Sequence, residues 1–527
     1  MAVQFVEGQT VGIDLGAAFS AVAQIDAEGD PCPILNGNDD METSSVVLLG
    51  DGGRIVVGLS RGQAASEDPD RVIDCVKRHL GESDFQKTLD GKPITPEFVA
   101  GIILKKLCQD AGKRIGKIGN VVISVPAYFN DARRKATQDA GRIAGVNVVD
   151  IINEPTAAAL TYAWLRDELG AGGKPGDRPR TILVYDLGAG KFDATLVRYT
   201  PTRFRVLATD GDVKLGGVDW TDRLANYAAG EFKKEHGGDP RESAASLHVL
   251  RAECESAKIE LSKKPEATIA CRHGGKTSRV SVTVRHFERL TAELLQRTAD
   301  KTAAAMKQGK ISSAELDAVV LVGGSTLMPQ VPRMLQQLTG KAPSPEISLH
   351  TAVAQGAAIH AAMLAAVHRG ETSGLSEKVR RRLKPVKVEN VNSHGLGVVA
   401  KNPKDGQDVN HVMIPRNSTL PVEVKKAFKT NSVGQSRVTV QVIEGDSPDP
   451  RAGSLVGKCR ITGLPPGLPA GSPIEVTYAF DASGRISVSA QEKTSGAQAT
   501  TEIERAGGLS EAQIEAFAKL AGELTVE

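Results

Sequence analysis

Two stretches of this chain repeat one chemical arrangement. Val11-Gly-Ile-Asp14-Leu-Gly16-Ala17-Ala18-Phe-Ser20-Ala-Val-Ala aligns with Val184-Tyr-Asp186-Leu-Gly188-Ala189-Gly190-Lys191-Phe-Asp193-Ala-Thr-Leu. Each copy reads as an apolar strand ending in an aspartate, then a glycine turn and a second apolar strand. Glycine lets backbone N–H groups come close to an anion, so such a turn forms a nest for phosphate. An aspartate at the strand end can hold Mg²⁺ through water, because Mg²⁺ keeps most of its hydration shell. One Asp-x-Gly turn is usually only a hairpin. Two related copies predict ribbons that face each other and clamp a triphosphate.

Two more glycine turns follow the same logic. Leu215-Gly216-Gly217-Val218-Asp219 precedes a helical pattern, and Gly323-Gly324-Ser325-Thr326 follows the apolar run 318–322. Ligands of α/β folds sit beyond the carboxyl ends of strands, where glycines and helix N-termini meet anions. None of the four turns has the spacing of a Walker loop or a dinucleotide fingerprint, which argues against those classes.

The elements that must carry these turns alternate from about residue 9 to 366. Short Val/Ile runs (121–125, 182–185 and 319–322) are each followed by a helical segment, as in an α/β domain with buried strands. A helix is expected over 130–144, opened by Asn130 and Asp131 and stopped at Gly145. Another starts at Glu154-Pro155, where proline suits the first turn. Between Arg369 and Asn392 a basic run (Lys378, Arg380, Arg381, Arg382, Lys384, Lys387) reads as an exposed linker. Beyond it the period becomes two: Val438, Val440 and Val442, then Ile474, Val476, Tyr478 and Phe480, a turn at Asp481-Ala-Ser-Gly484, and Ile486 and Val488. That is the pattern of a β-sandwich. Ser510 and Gln513 then open a final helix with Ile514, Phe517 and Leu520 on one face.

Composition narrows the function classes. With 40% hydrophobic and 24% charged residues the chain has ordinary globular character, and 4% aromatics means its cores lean on Val, Ile, Leu and Ala. A formal charge of +2 gives no field for nucleic acid or an anionic membrane, so neither is expected as a partner. The six cysteines are scattered without a Cys-x-x-Cys pair, which suits a reducing compartment. With no leader pattern and no long apolar run, a cytoplasmic location is expected.

The stretch Val121-Val-Ile-Ser-Val-Pro126-Ala-Tyr-Phe-Asn130-Asp, continuing through Ala140-Gly-Arg-Ile-Ala-Gly145 to Ile151-Ile-Asn-Glu154-Pro-Thr-Ala-Ala-Ala-Leu160, resembles the seventy-kilodalton heat-shock chaperone family. The likeness runs from about residue 9 to 522. It implies an α/β actin-like bilobed ATPase domain followed by an all-β sandwich domain and one short C-terminal helix. The corresponding bounds are 1–370 (lobes about 1–176 and 177–370), a polar linker at 371–390, the sandwich at 391–505 and the helix at 506–527. It implies ATP/ADP and Mg²⁺ as cofactors, and extended or unfolded polypeptide and co-chaperones as partners.

Position by position, the resemblance gives Asp14 and Asp186 to hydrated Mg²⁺, and Lys77 to the γ-phosphate and attacking water. Glu154 and Asp193 would orient water and metal. Gly16, Gly188, Gly190, Gly216, Gly217, Gly323, Gly324 and Ser325 would contact nucleotide, and Glu255, Lys258 and Ser262 would surround adenosine. Those three also share one helical face. Pro126 and Arg134 match a proline switch and an arginine coupled to the linker. Val398, Phe428, Val438 and Val440 match apolar peptide pockets, with Lys401 and Asn431 where the family closes an arch.

The departures matter as much. Ala17 and Ala18 replace threonines at the phosphate turn. A hydrogen bond to a charged group is worth about 1.5–3 kcal/mol, so roughly tenfold in binding or rate is at stake. Lys191 replaces another threonine and admits two readings: it adds positive charge for the phosphates, the one preferred, or it fills the γ-phosphate space and stops turnover. His350 and Thr351 stand where an acidic pair is usual. The linker offers little apolar area, so weak docking and loose coupling are expected. One short helix stands where the family has a long lid, so captured peptide should leave quickly. The leading expectation is an ATP-hydrolysing, chaperone-like enzyme. The alternative is a catalytically impaired nucleotide-binding scaffold that regulates one partner.

Overall fold

The strand Gln9–Asp14, whose Val11 and Ile13 are fully buried, is the spine of a first sheet. It runs parallel to Ile118–Val125, which lies parallel to Asn147–Asn153, and it pairs antiparallel with Phe19–Ile25. Thr43–Leu49 and Arg54–Gly58 carry the sheet outward. A second sheet repeats this plan: Arg180–Leu187 lies parallel to Ala318–Val322 and antiparallel to Phe192–Thr200, with Arg203–Asp212 beyond. Helices cover both faces of these strands, which is why they read as unbroken Val/Ile runs. The computed structural model describes residues 4–50, 52–174, 178–367, 375–401, 406–430, 432–462, 464, 466–493, 498–505 and 508–527.

Two alanine-rich helices, Glu154–Leu165 and Ala352–Val367, contribute to one core with strands of both sheets. Their contact is close: a Cβ on Gly356 would stand 1.9 Å from the Ala157 carbonyl oxygen, so only glycine fits there. Small side chains bring backbones together where aromatics would hold them apart. The helix Asp131–Ile143 is capped by the Asn130 side chain, which accepts from the Arg133 N–H, as the sequence predicts.

The segment before the sandwich departs from expectation. Helix Glu377–Leu383 buries Val379 and Leu383, Val386 is buried after it, and Lys387–Glu389 adds a parallel strand beside Arg203–Asp212. Arg382, from the basic run, stacks 3.9 Å from the Trp164 ring centre. Apolar residues at 379, 383 and 386 form one stripe that the surrounding charges conceal in composition, and strand pairing needs no apolar side chain at all. Weak docking is therefore corrected to a paired, packed connection.

The sandwich follows one hydrogen-bonded path of eight strands. In spatial order these are Asp408–Ile414, Leu396–Lys401, Val438–Glu444, Ser454–Thr462, Gln498–Arg505, Ile486–Glu492, Pro473–Phe480 and Val422–Lys429. Leu396, Val442, Ile474, Val476 and Tyr478 fill its core. Its 481–485 turn seats on the first lobe, where Asp131 Oδ1 accepts from Arg485 Nε at 2.9 Å and from the Ile486 N–H at 3.1 Å.

The last helix, Glu511–Glu523, has the expected Ser510/Gln513 capping box and packs into the first lobe's core through Ile514, Phe517 and Ala521, with Leu524 just beyond its end. The Phe517 ring lies 5.2 Å from that of Phe98. Thr525–Val526 then lies parallel to Arg54–Gly58 and extends the first sheet. Ile514→Ala is expected to cost about 2–5 kcal/mol, the range for emptying a buried Ile site. The check is a lower urea midpoint for the first lobe; a midpoint within 0.5 kcal/mol-equivalent (about the scatter of surface substitutions) would show that this helix does not belong to the lobe's core. Among the described residues no helix is long and apolar enough to cross a membrane.

Candidate functional site

A cavity of 500 Å³ opens between the lobes where the two ribbon tips meet. Asp14 ends the spine of the first sheet and Asp186 lies near the end of the corresponding strand in the second, so the internal repeat becomes two aspartates converging on one cleft. The tips themselves touch: a Cβ on Gly190 would stand 2.7 Å from the Ala17 Cβ. Gly16, Ala17, Ala18, Gly188 and Gly190 all lie on the wall, with Lys77, Glu154 and Lys191 beside them.

At this end four carboxylates meet two ammonium groups. Glu154, at the start of its helix, pairs with Lys77 and, at 2.5 Å, with Lys191. Lys191 also pairs with Asp186 and, at 2.8 Å, with Asp193 Oδ2. Asp186 and Asp193 are cross-strand partners in the second ribbon, which is why one lysine at its tip reaches both. Asp193 is fully buried behind the wall, and its Oδ1 accepts from the Tyr128 N–H at 3.1 Å. Asp14 accepts from Ser124 Oγ at 2.8 Å.

Burial pushes the Asp14 carboxyl up to about 6, with the nearby Glu154 charge adding to it. Burial likewise raises Asp186 to about 7 and lifts Asp193. Against the same burial, Lys191 and Lys77 hold Glu154 down to about 2. Lys191 stays charged, because three carboxylates more than offset its desolvation.

The other end of the cavity is built from the second lobe. Glu255, Lys258 and Ser262, on helix Ala244–Leu261, line it together with Gly323, Gly324 and Ser325. Gly323 has φ +85°, and a Cβ there would stand 2.4 Å from the Leu187 carbonyl, so this turn needs glycine. Lys258 donates to the Gly217 carbonyl at 2.9 Å and to Glu255 at 2.8 Å, tying the helix to the Gly216-Gly217 turn. Gly216 and Gly217 lie behind the wall; a Cβ on Gly216 would stand 2.5 Å from the Ala189 carbonyl of the second ribbon.

Among the interlobe ion pairs that escaped the sequence reading are two whose partners come from the ends of the cleft. Arg78 pairs with Asp219 at 2.9 Å, and the same carboxylate oxygen caps the Gly216 N–H at 2.7 Å. Glu42 pairs with His350 at 2.9 Å and raises its pKa. Arg78 adjoins Lys77, Asp219 closes the third glycine turn and His350 stands where an acid is usual, but the paired segments are distant in sequence, so no spacing joins them. Pro126 lines the cavity, and Arg134 lies outside it on the sandwich-facing side.

In the sandwich, Val398 and Val440 are core residues and Phe428 packs half-buried against that core. Lys401 and Val438 sit on strands Leu396–Lys401 and Val438–Glu444; their side chains, and Asn431, lie outside the described residues.

Twin acid-tipped ribbons across an interlobe cleft define the actin-like class of ATPase folds, here joined to a β-sandwich. The sequence model of the Hsp70 protein family matches residues 82–527. The chaperone protein DnaK of Halobacterium salinarum is 36% identical over 513 residues, covering 96% of this chain and 76% of that protein. DnaK of Thermosipho melanesiensis is 36% identical over 512 residues, covering 96% of this chain and 81% of the relative. The chain belongs to the Hsp70 family.

Proposed function

We propose that this cleft binds ATP with Mg²⁺ and hydrolyses it, and that the cycle sets the posture of a sandwich that weakly holds extended polypeptide. The broad activity, an ATP-dependent chaperone with ATPase function, follows from the family. The observation that carries the finer reading is the single cavity that joins Asp14, Lys77, Glu154 and Asp186 at one end to Glu255, Lys258 and Ser262 at the other. That is the layout a triphosphate joined to a nucleoside requires.

A magnesium ion fits the charge of the donor set. With all four carboxylates ionised, two ammonium groups leave an excess of two negative charges among Asp14, Glu154, Asp186 and Asp193, all hard oxygen donors. Asp14 and Asp186 would hold the ion through its water shell, and when bound it would neutralise the phosphates. The chain's own groups do the rest. Among the described residues the hydrogen-bond partner of Lys77 is Glu154, which leaves two of its three N–H donors for the terminal phosphate. Glu154, held near 2, is too weak a base to take a proton early and serves to align the attacking water. Phosphoryl transfer through a loose transition state asks for such positioning more than for a base. The adenosine end uses the face of Glu255, Lys258 and Ser262, fixed to the Gly217 turn before any ligand arrives.

Calorimetry with ATP and Mg²⁺ tests the reading. Wild type is expected to bind one nucleotide. Gly216→Val forces a side chain onto the second ribbon's backbone, an overpacking of about 1–3 kcal/mol, and should weaken binding by about tenfold or more. No heat from wild type at millimolar ATP would end the proposal, and tight binding without turnover would favour the scaffold. We also assign peptide contact to the Val398, Lys401, Phe428, Asn431, Val438 and Val440 region, as the resemblance implies.

A further inference from the structure

Glu154, Asp186 and Asp193 stand as metal ligands do: one oxygen of each lies within 4.8 Å of the others, and all three residues are buried. Hard oxygen donors at that spacing would ordinarily gather a divalent ion. The centre of the triad is taken by the chain itself. Lys191 Nζ reaches Asp186, Asp193 and Glu154 together. An ammonium has three N–H donors, and three carboxylates consume them. No donor is left for a phosphate, so neither reading of Lys191 made from sequence describes this geometry.

We propose that Lys191 is a tethered cation: its ammonium permanently holds the cation position of the Glu154–Asp186–Asp193 triad, and the triad takes up no metal ion. The tether makes this effective. Lys191 follows Asp186 around the turn of one ribbon and precedes Asp193 by two residues, so the ammonium is held at a high effective concentration beside both. A free ion has to displace a charge that cannot leave. The lysine also keeps three buried carboxylates from repelling an entering triphosphate without touching it. Any nucleotide-borne metal then stays outside the triad, on the side of the cleft where Asp14 lies, and would meet Asp186 only through its water shell.

This inference refines the nucleotide-cleft reading, but its test uses no nucleotide. Mn²⁺ uptake by the nucleotide-free full chain is followed by electron paramagnetic resonance, with folding checked by circular dichroism. Wild type is expected to show no site that depends on Asp193. Lys191→Thr should gain one Mn²⁺ at least tenfold tighter than any wild-type uptake, and Asp193→Asn added to it should remove that site. Lys191→Ser provides the same gain if the threonine variant does not fold. Wild-type uptake that Asp193→Asn abolishes, or no gain in a folded Lys191 variant, overturns the proposal. ATP binding lost while the Mn²⁺ pattern holds would count against the cleft reading alone.

Discussion

Lys77→Ala is expected to lower single-turnover ATP hydrolysis by about 10²–10³-fold while changing ATP affinity by less than about tenfold, the scale set by removing one preorganised charge from a phosphoryl-transfer site. The geometry explains the split. Lys77 is buried beside Glu154 with donors to spare at the cavity wall, where negative charge shifts as the terminal phosphate departs. Binding energy is spread along the whole cleft, including the ribbon backbones and the adenosine end, so loss of one ammonium costs affinity less than rate. The protein should remain folded, because Glu154 keeps Lys191 as a partner at 2.5 Å. Rapid-quench measurement of labelled ATP under single-turnover conditions, beside calorimetry on the same variant, gives both numbers. Equal hydrolysis by wild type and variant would remove Lys77 from the reaction.

The second large effect concerns the seat of the sandwich on the first lobe. Arg134 is buried there, donating to the Phe129 carbonyl at 3.1 Å, to Asn153 Oδ1 at 2.8 Å and to the Ser483 carbonyl of the sandwich at 3.3 Å. Glu444, from the sandwich, accepts from the Asp131 N–H at 2.9 Å. Burial pushes the Glu444 carboxyl up to about 8; the Arg134 charge pulls it down, and Asp446 adds to the rise. A hydrogen bond made by a charged group is worth about 1.5–3 kcal/mol, and the one from Arg134 to the Ser483 carbonyl joins lobe to sandwich. Arg134→Ala should therefore shift the docked population by about tenfold or more, read as a larger radius of gyration in solution scattering and faster amide exchange at the 481–485 turn.

The pH dependence has a definite sign. An acid whose pKa is higher docked than free, about 8 against the ordinary 4.5, favours docking when protonated. Its contribution is whole below 4.5, declines as pH rises between those values and is exhausted above 8. Docking should weaken toward alkaline pH in wild type, and Glu444→Gln, which cannot ionise, should flatten that slope. A slope unchanged in Glu444→Gln would mean that another group sets it. Because the segment 387–389 is already paired with Arg203–Asp212, the measurement reports on the sandwich seat and not on formation of the connecting strand.

Much of this protein is determined by local sequence. The Asp14 and Asp186 repeats predict their own ribbons because a strand ending in Asp-Leu-Gly carries its turn within a few residues. Capping by Asn130 and by Ser510 with Gln513 is legible for the same reason: the groups that satisfy one another are neighbours in the chain. The alternation of Val438, Val440 and Val442 likewise announces a strand with one buried face.

Tertiary structure alone decided the rest. That Arg78 meets Asp219, or Glu42 meets His350, depends on how two lobes close, and no periodicity records it. The connecting segment looked polar because composition averages over Val379, Leu383 and Val386, whereas packing selects them. Lys191 shows the difference most clearly. Its position in a glycine turn marked it as a cation near phosphate, yet its partners are carboxylates, because Asp186 and Asp193 pair across the ribbon and Glu154 arrives from a helix thirty-odd residues earlier. Residue type and spacing specify which charges are present. Only the three-dimensional arrangement determines which of them neutralise each other, since electrostatic attraction and desolvation depend on separation in space rather than on distance along the chain.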